Sequence, residues 1–385
     1  MLRSVAERAQ NPFRFGDLAL DDAFTDREGE LAGLCSDMRN GQNVALVAPR
    51  RYGKTSLLRR AEQALAAEGV LVADVDLMKT PTKEKLASKL ARAIHDDIAT
   101  ALVRARDRLR IFSGLRITPT VTIDPADGSP SFSFTATHRR EDIDDTLERL
   151  LELPAQLAAE RGRRVVLVFD EFQEVTSVDP GLPALMRAVF QEQREVAHVY
   201  SGSRRDMMRR LFTDENEPFF RSAKVLELGR IDVALFAEFV EQRFARTDRG
   251  LADGVAARLA ATTRGHPYAT QELAYALWEE VPAGFDATAG DLDRALQAVL
   301  RSENAHFTLV WDRASRAQRL VLQALAAEPG RVFGADYRRR HDLPGASTVQ
   351  RAVQQLAADE LVERGEDGYR IAEPFLAEWI RAYST

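Results

Sequence analysis

Val44-Ala45-Leu46-Val47-Ala48-Pro49-Arg50-Arg51-Tyr52-Gly53-Lys54-Thr55-Ser56 is the stretch on which the reading of this chain turns. A short apolar run bounded by polar residues reads as a strand buried on both faces, the form found in parallel sheets. Pro49 and Gly53 interrupt it. Leu57, Leu58, Ala61, Ala64 and Leu65 then fall on one stripe of a helix that Gly69 can terminate. Strand, loop and helix in that order bring unpaired backbone N–H groups and the positive end of a helix dipole to the loop, which suits an anion.

Outward from this stretch the pattern repeats. Thr25-Asp26-Arg27-Glu28 sets a hydroxyl three residues before a carboxylate, ahead of Leu31 and Leu34, and predicts a helix start, with the end near Asn40-Gly41. Residues 70–75, 165–169, 196–200 and 224–228 read as further strands. Strands alternating with helices imply an α/β fold with a parallel sheet covered on both faces. Between the second and third strands, Ile117, Val121 and Ile123 alternate toward Asp127-Gly128, and Phe132 and Phe134 alternate after it. This predicts a hairpin inserted near 116–136. Beyond Gly229 the strand signals vanish and Leu235, Phe236, Phe239, Val240 and Phe244 set a helical period, so residues 1–229 form the core and 230–300 a helical lid. Residues 301–385 change pattern again. A helix around Leu320-Val321-Leu322, one around Asp336-Tyr337, one opening at Ser347 with a capping signature, and a hairpin about Gly365 and Gly368 predict a winged helix.

Composition bounds the function. At roughly 150 residues per domain, 385 residues suggest two to three domains. A 45% hydrophobic and 29% charged chain excludes a mainly disordered or fibrous protein. The net charge of −6, from 53 basic and 59 acidic residues, leaves any basic surface local. One cysteine, Cys35, allows no internal disulfide and no cysteine-ligated zinc, and fits a reducing compartment. No apolar run approaches the roughly 20 residues of a membrane helix, so the expected location is the cytoplasm.

Ala48 to Ser56 resembles the Walker A loop, with Ala48 where the first glycine usually stands. Pro49, Arg50, Arg51, Tyr52 and Gly53 would wrap ATP or ADP phosphates, Gly53 allowing the closest backbone approach, and Ser56 would follow at the helix start. Lys54 would meet the β- and γ-phosphates, and Thr55 would offer its hydroxyl to Mg²⁺. The site needs carboxylates at the end of a buried strand neighbouring the first. Phe169-Asp170-Glu171 supplies them, Asp170 for the metal and Glu171 to accept a hydrogen bond from attacking water. A solvated strand end is the bland alternative for this pair. Ser203, after the fourth strand, is placed to sense the γ-phosphate. The arginines of 204–210 read first as a solvated face, and Arg221 is a rival arginine-finger candidate.

Asn11-Pro12-Phe13, Phe24 to Leu31, Pro49 to Ser56, Phe169 to Gln173, Ser201-Gly202-Ser203 and Gly265-His266-Pro267 together resemble the archaeal-type ATPase family within the AAA+/STAND group of P-loop NTPases. The resemblance implies a five-stranded parallel sheet, a helical lid and a C-terminal winged helix. It also implies that Asn11, Pro12 and Phe13 lie over the adenine and that His266 and Pro267 approach the nucleotide. On residue chemistry alone, Pro267 is simply a first helical residue and His266 a satisfied polar group at a boundary. ATP and Mg²⁺ are the implied cofactors.

A DNA-binding winged helix would present Thr348, Gln350, Arg351 and Gln354 to the major groove while Val349, Val353 and Leu356 face the core. Glu363, Glu366 and Asp367 on the hairpin oppose phosphate, and Arg338-Arg339-Arg340-His341 could compensate. DNA, a protein partner and self-association all stand as partner classes. The sequence thus points to an Mg²⁺-dependent ATPase acting as a switch, with a nucleotide-regulated DNA-binding protein of little turnover as the alternative.

Overall fold

The computed structural model describes residues 10–16, 27–103, 105–126, 129–134, 140–365 and 367–383. They divide into two compact units, one of Arg27–Arg50 with Lys54–Gly229, the other of residues from Arg230 onward with Arg51–Gly53 and the N-terminal segment.

The first unit is built on β1 (Val44–Val47), β2 (Leu71–Asp76), β5 (Val165–Asp170), β6 (Val196–Gly202) and β7 (Lys224–Glu227), with β3 (Thr120–Ile123) and β4 (Pro130–Ser133) apart from them. The five form one parallel sheet in the order β2-β5-β6-β1-β7. Every residue of β1 and β6 is buried, as is β5 up to Phe169, because helices cover both faces of a parallel sheet. Helix Lys54–Ala67 follows β1 directly, and Gly69, at φ 82°, ends its turn where a side chain would strain. One expectation is corrected: the carboxylate-bearing strand β5 is not beside β1, since β6 lies between them. Hydrophobic runs establish that strands are buried but not which one is adjacent.

Helix Glu28–Arg39 begins where expected and ends at Asn40. Thr25 and Asp26 of its expected cap lie outside the described residues. The insertion after β2 holds more than a hairpin: helix Lys83–Ala93 runs on as π-helical residues Ile94–Ala99, and a 3₁₀ stretch, Ala105–Phe112, precedes β3. β3 and β4 pair antiparallel with Val121 opposite Phe132, while Asp127 and Gly128 of the expected turn are outside the described residues. Ile117 precedes the strand, and Ile123 is exposed, so alternation marked only one buried face.

In the second unit, helices Val233–Ala245, Val255–Thr263, Pro267–Glu280 and Ala289–Ser302 are joined by a two-residue parallel pairing of β8 (Gly250–Leu251) with β9 (Asp286–Ala287). This corrects the expectation that strands cease after Gly229; a two-residue pairing has no periodic signature. Helices Asn304–Arg313, Arg316–Ala327, Ala335–Arg340, Ala346–Ala358 and Pro374–Tyr383 follow, with β10 (Val362–Gly365) and β11 (Gly368–Ile371) forming the wing. Gly330 bridges Tyr369 to extend the wing. The expected Ser347 cap is also corrected: Gly345 occupies the cap position and Ser347 is already helical, so chain geometry rather than a hydroxyl starts that helix. A hydroxyl cap of the expected kind sits instead at Ser315, exchanging hydrogen bonds with Gln318. One hydrophobic core runs from Ile231 through Leu273 and Val321 to Ile380, so lid and winged helix are packed as one body.

Candidate functional site

β1 and β6 end side by side, and the Ala48 amide donates to the Gly202 carbonyl at 3.2 Å. Ala48 is fully buried and lies outside the left-handed region, whereas Arg51 and Gly53 adopt φ of 67° and 81°. The loop therefore makes its positive-φ turns after Ala48, and the methyl group of an alanine is no obstacle there.

Lys54, the first residue of its helix, is buried, and its Nζ lies 2.8 Å from Asp170 Oδ1 and 3.1 Å from Glu171 Oε1. Asp170 Oδ1 also accepts from Ser201 Oγ at 2.8 Å and from the Glu171 amide at 3.0 Å. Ser203 Oγ donates to Glu171 Oε2 at 2.8 Å, and Gln173 Nε2 donates to the same oxygen. Glu171 has φ 51°, a left-handed conformation that a non-glycine residue keeps only under constraint from its surroundings. Burial pushes its carboxyl up, but Lys54 and the hydrogen bonds of Gln173 and Ser203 outweigh that and hold it below the usual range.

The donor set fits Mg²⁺. Asp170 Oδ2 has no partner among the described residues and is a hard oxygen ligand, and Thr55, next to Lys54 in sequence, carries a hydroxyl of the same kind. No group of three or more His, Cys, Asp or Glu that could hold a metal occurs among the described residues, so further ligands would be phosphate oxygens and water.

Sequence reasoning selected Lys54, Asp170, Glu171 and Ser203, and the fold brings these together. It missed Ser201 and Gln173 as site residues, although the alternate positions of a strand end, Ser201 and Ser203, were signal enough for two side chains directed to one side. Arg221 is not in this cluster. It is exposed, at φ 51°, with its guanidinium 5.2 Å from the Phe220 ring. Among the nearby arginines, Arg209 pairs with Glu227 and Arg210 with Glu217. Pro49 is half-buried and Arg50 exposed, while Ser56 is buried one residue beyond Thr55.

In the second unit, Arg51 lies 4.2 Å above the Tyr268 ring, and Tyr52 meets the His266 ring edge-on, its hydroxyl donating to Glu363 at 3.5 Å. His266 caps the helix that Pro267 opens, Nδ1 accepting from the Ala269 amide at 3.2 Å. Burial, with Arg230 and Arg51 adding repulsion, pushes the imidazole down to about 3, so it is neutral. Gly265 leaves room that a side chain would take from the Ile231 carbonyl. Asn11 bonds Tyr275 and Glu279, and Phe13 is buried between Phe239 and Phe244. The Phe13 ring is thus committed to the core and offers no face for stacking; Pro12 beside it is half-buried.

A five-stranded parallel sheet with this strand order, a helix-opening lysine held by two carboxylates at the end of β5, and a terminal wing define a P-loop fold with a C-terminal winged helix. Residues 37–211 match the family model of the AAA domain, and residues 305–382 that of a probable winged helix domain. Among solved structures, the chain is similar to the Walker-type ATPase of Pyrococcus abyssi, at TM-score 0.65 and 16% identity over 96% of this chain and 99% of that one. It is also similar to the ORC2 protein of Aeropyrum pernix in ADPNP–ADP complexes, at TM-score 0.49 and 15% identity over 94% and 95% of the two chains. The ORC1 protein of Aeropyrum pernix in complex with DNA gives TM-score 0.47 and 16% identity over 94% of each. No curated protein matches the sequence. No helix among the described residues is long and apolar enough to cross a membrane.

Proposed function

We propose that this protein binds ATP with Mg²⁺, hydrolyses it, and uses the nucleotide state to reposition its lid and winged helix. The observation that carries the reading is the Lys54 ammonium held between Asp170 and Glu171. A buried cation satisfied by two carboxylates is a charge waiting for a stronger anion. When Lys54 turns to the β- and γ-phosphates, Glu171 Oε1 is released to accept a hydrogen bond from water, while Ser203 and Gln173 keep Oε2. Bound Mg²⁺, held by Thr55 and Asp170, would neutralise phosphate charge. Arg51 and Tyr52, which precede Gly53 and Lys54 in the loop, pack within the unit that carries the lid and winged helix.

The test is nucleotide binding and turnover by the purified protein. Lys54→Ala should weaken ATP binding by roughly tenfold or more, and Glu171→Gln should bind ATP yet lose about 10²-fold or more in turnover. Unchanged affinity in the first variant, or undiminished turnover in the second, refutes the reading.

A second reading, DNA binding with little turnover, is favoured by one observation. Gln350, Arg351 and Gln354 are exposed on helix Ala346–Ala358 while Val349, Val353 and Leu356 are buried, leaving a polar face free. On the wing Glu363 is buried and paired with Arg230 and Arg370, so it does not oppose phosphate as the sequence suggested; Asp367 is exposed and still does, and Glu366 lies outside the described residues. The arginines that could compensate are partly neutralised, Arg339 by Asp336 and Arg340 by Glu328. Salt-dependent duplex binding without ATP turnover would favour this reading over the first.

A further inference from the structure

Gln173 is buried three residues beyond Asp170, in the short 3₁₀ turn Phe172–Glu174 that follows β5. Its Nε2 donates to Glu171 Oε2, and its Oε1 has no hydrogen-bond partner. Turning the amide over would set Oε1 against the carboxylate, so the orientation is dictated by Glu171 alone. Gly202 completes the arrangement. A Cβ at that position would come 2.5 Å from Gln173 Oε1 and closer still to Met208 Sδ, so the bare backbone of Gly202 makes room for the amide. The last two residues of β6 and the one after it therefore serve both carboxylates: Ser201 bonds Asp170, Ser203 bonds Glu171, and Gly202 leaves space for Gln173.

We propose that Gln173 is a positioning residue for ATP hydrolysis, pinning Glu171 Oε2 together with Ser203 so that Oε1 is the oxygen offered to water. This rests on the ATPase reading above. The groups that face the Glu171 carboxylate are the Lys54 ammonium, the Ser203 hydroxyl and the Gln173 amide; a carboxylate held through one oxygen by two donors has one orientation rather than several. Its left-handed backbone sets where the side chain starts, and Gln173 sets where it ends.

The experiment is a double-mutant cycle on full-length protein. Gln173→Met keeps the side-chain length and removes the donor. It should leave ATP affinity and KM within about threefold and lower kcat by roughly 10- to 100-fold. In a Glu171→Gln background the same substitution should have no further effect, because there is no carboxylate left to position. If Gln173→Met does not fold, as judged by circular dichroism, Gln173→Glu replaces it: a second carboxylate facing Glu171 should lower kcat in the same way, again only when Glu171 is present. Equal losses in both backgrounds, a rise in KM without a fall in kcat, or no fall at all overturn the proposal. Absence of turnover in the wild-type protein would overturn the ATPase reading itself and this proposal with it, whereas wild-type turnover with additive losses would overturn the positioning role alone.

Discussion

Glu272 lies on helix Pro267–Glu280, only 5% exposed, with its Oε2 lacking a hydrogen-bond partner. Burial pushes its carboxyl up to about 8, Glu303 and Glu373 push in the same direction, and Arg51 offsets them in part. Relative to its ordinary value of 4.5, the folded protein holds this proton more tightly than the unfolded chain, so stability is greatest at low pH and falls as pH rises through the window up to about 8. Between pH 5 and pH 8 that one group should remove up to about 3.5 kcal/mol. Glu272→Gln imitates the protonated side chain and should abolish that share of the pH dependence, raising the urea midpoint at pH 8, relative to wild type, by on the order of 1–2 M. The assay is built into the chain, since all three tryptophans, Trp278, Trp311 and Trp379, belong to the unit that contains Glu272. Their fluorescence follows its unfolding. Parallel stability-against-pH curves for wild type and Glu272→Gln would refute the reasoning.

Three further outcomes follow from the same structure. Phe13→Ala removes a fully buried ring from between Phe239 and Phe244 and should destabilise the lid by about 3–5 kcal/mol in urea unfolding followed by tryptophan fluorescence; a loss under about 1 kcal/mol would show that the segment is not anchored there. Glu363→Ala leaves Arg230 and Arg370 without their shared buried carboxylate, 3.0 and 2.8 Å away, and should lower stability in the same assay by about 3–5 kcal/mol; equal stability would mean that these pairs contribute nothing net. Ala48→Gly should leave ATP affinity within about twofold and slightly lower the melting temperature, because the alanine conformation is unstrained and glycine only frees the unfolded chain; a large gain in affinity by calorimetry would show that the methyl group obstructs the loop.

Much of the molecule was legible because its signals are local. Continuous apolar runs identified β1 and β5, since a strand covered on both faces has no polar side to show. Gly69 and Asn40 were readable as helix ends from single-residue backbone preferences. Asp170, Glu171 and Ser203 were readable because each sits where a strand gives way to the turn that follows, and Lys54 because it opens the helix after the β1 loop. Less was legible where a role depends on a distant neighbour. The resemblance implies that Phe13 lies over the adenine, and its packing between Phe239 and Phe244 could not be read from its own segment. Glu363 reads as a surface charge on a wing until Arg230, 133 residues away, is found beside it. The β8–β9 pairing and the terminal helix Pro374–Tyr383 carried no signal strong enough to separate them from their surroundings.

The sequence by itself determined the kinds of element, their order, and the residue types at the turn after β1, because periodicity, turn chemistry and helix-end electrostatics act over a few neighbouring residues. Only the tertiary structure decided that β6 stands between β1 and β5, and hence that Ser201, Gly202 and Ser203 serve two carboxylates from another strand. Strand order follows from how helices and crossovers pack over the whole sheet, and that sum of long-range contacts is written in no single segment of the chain.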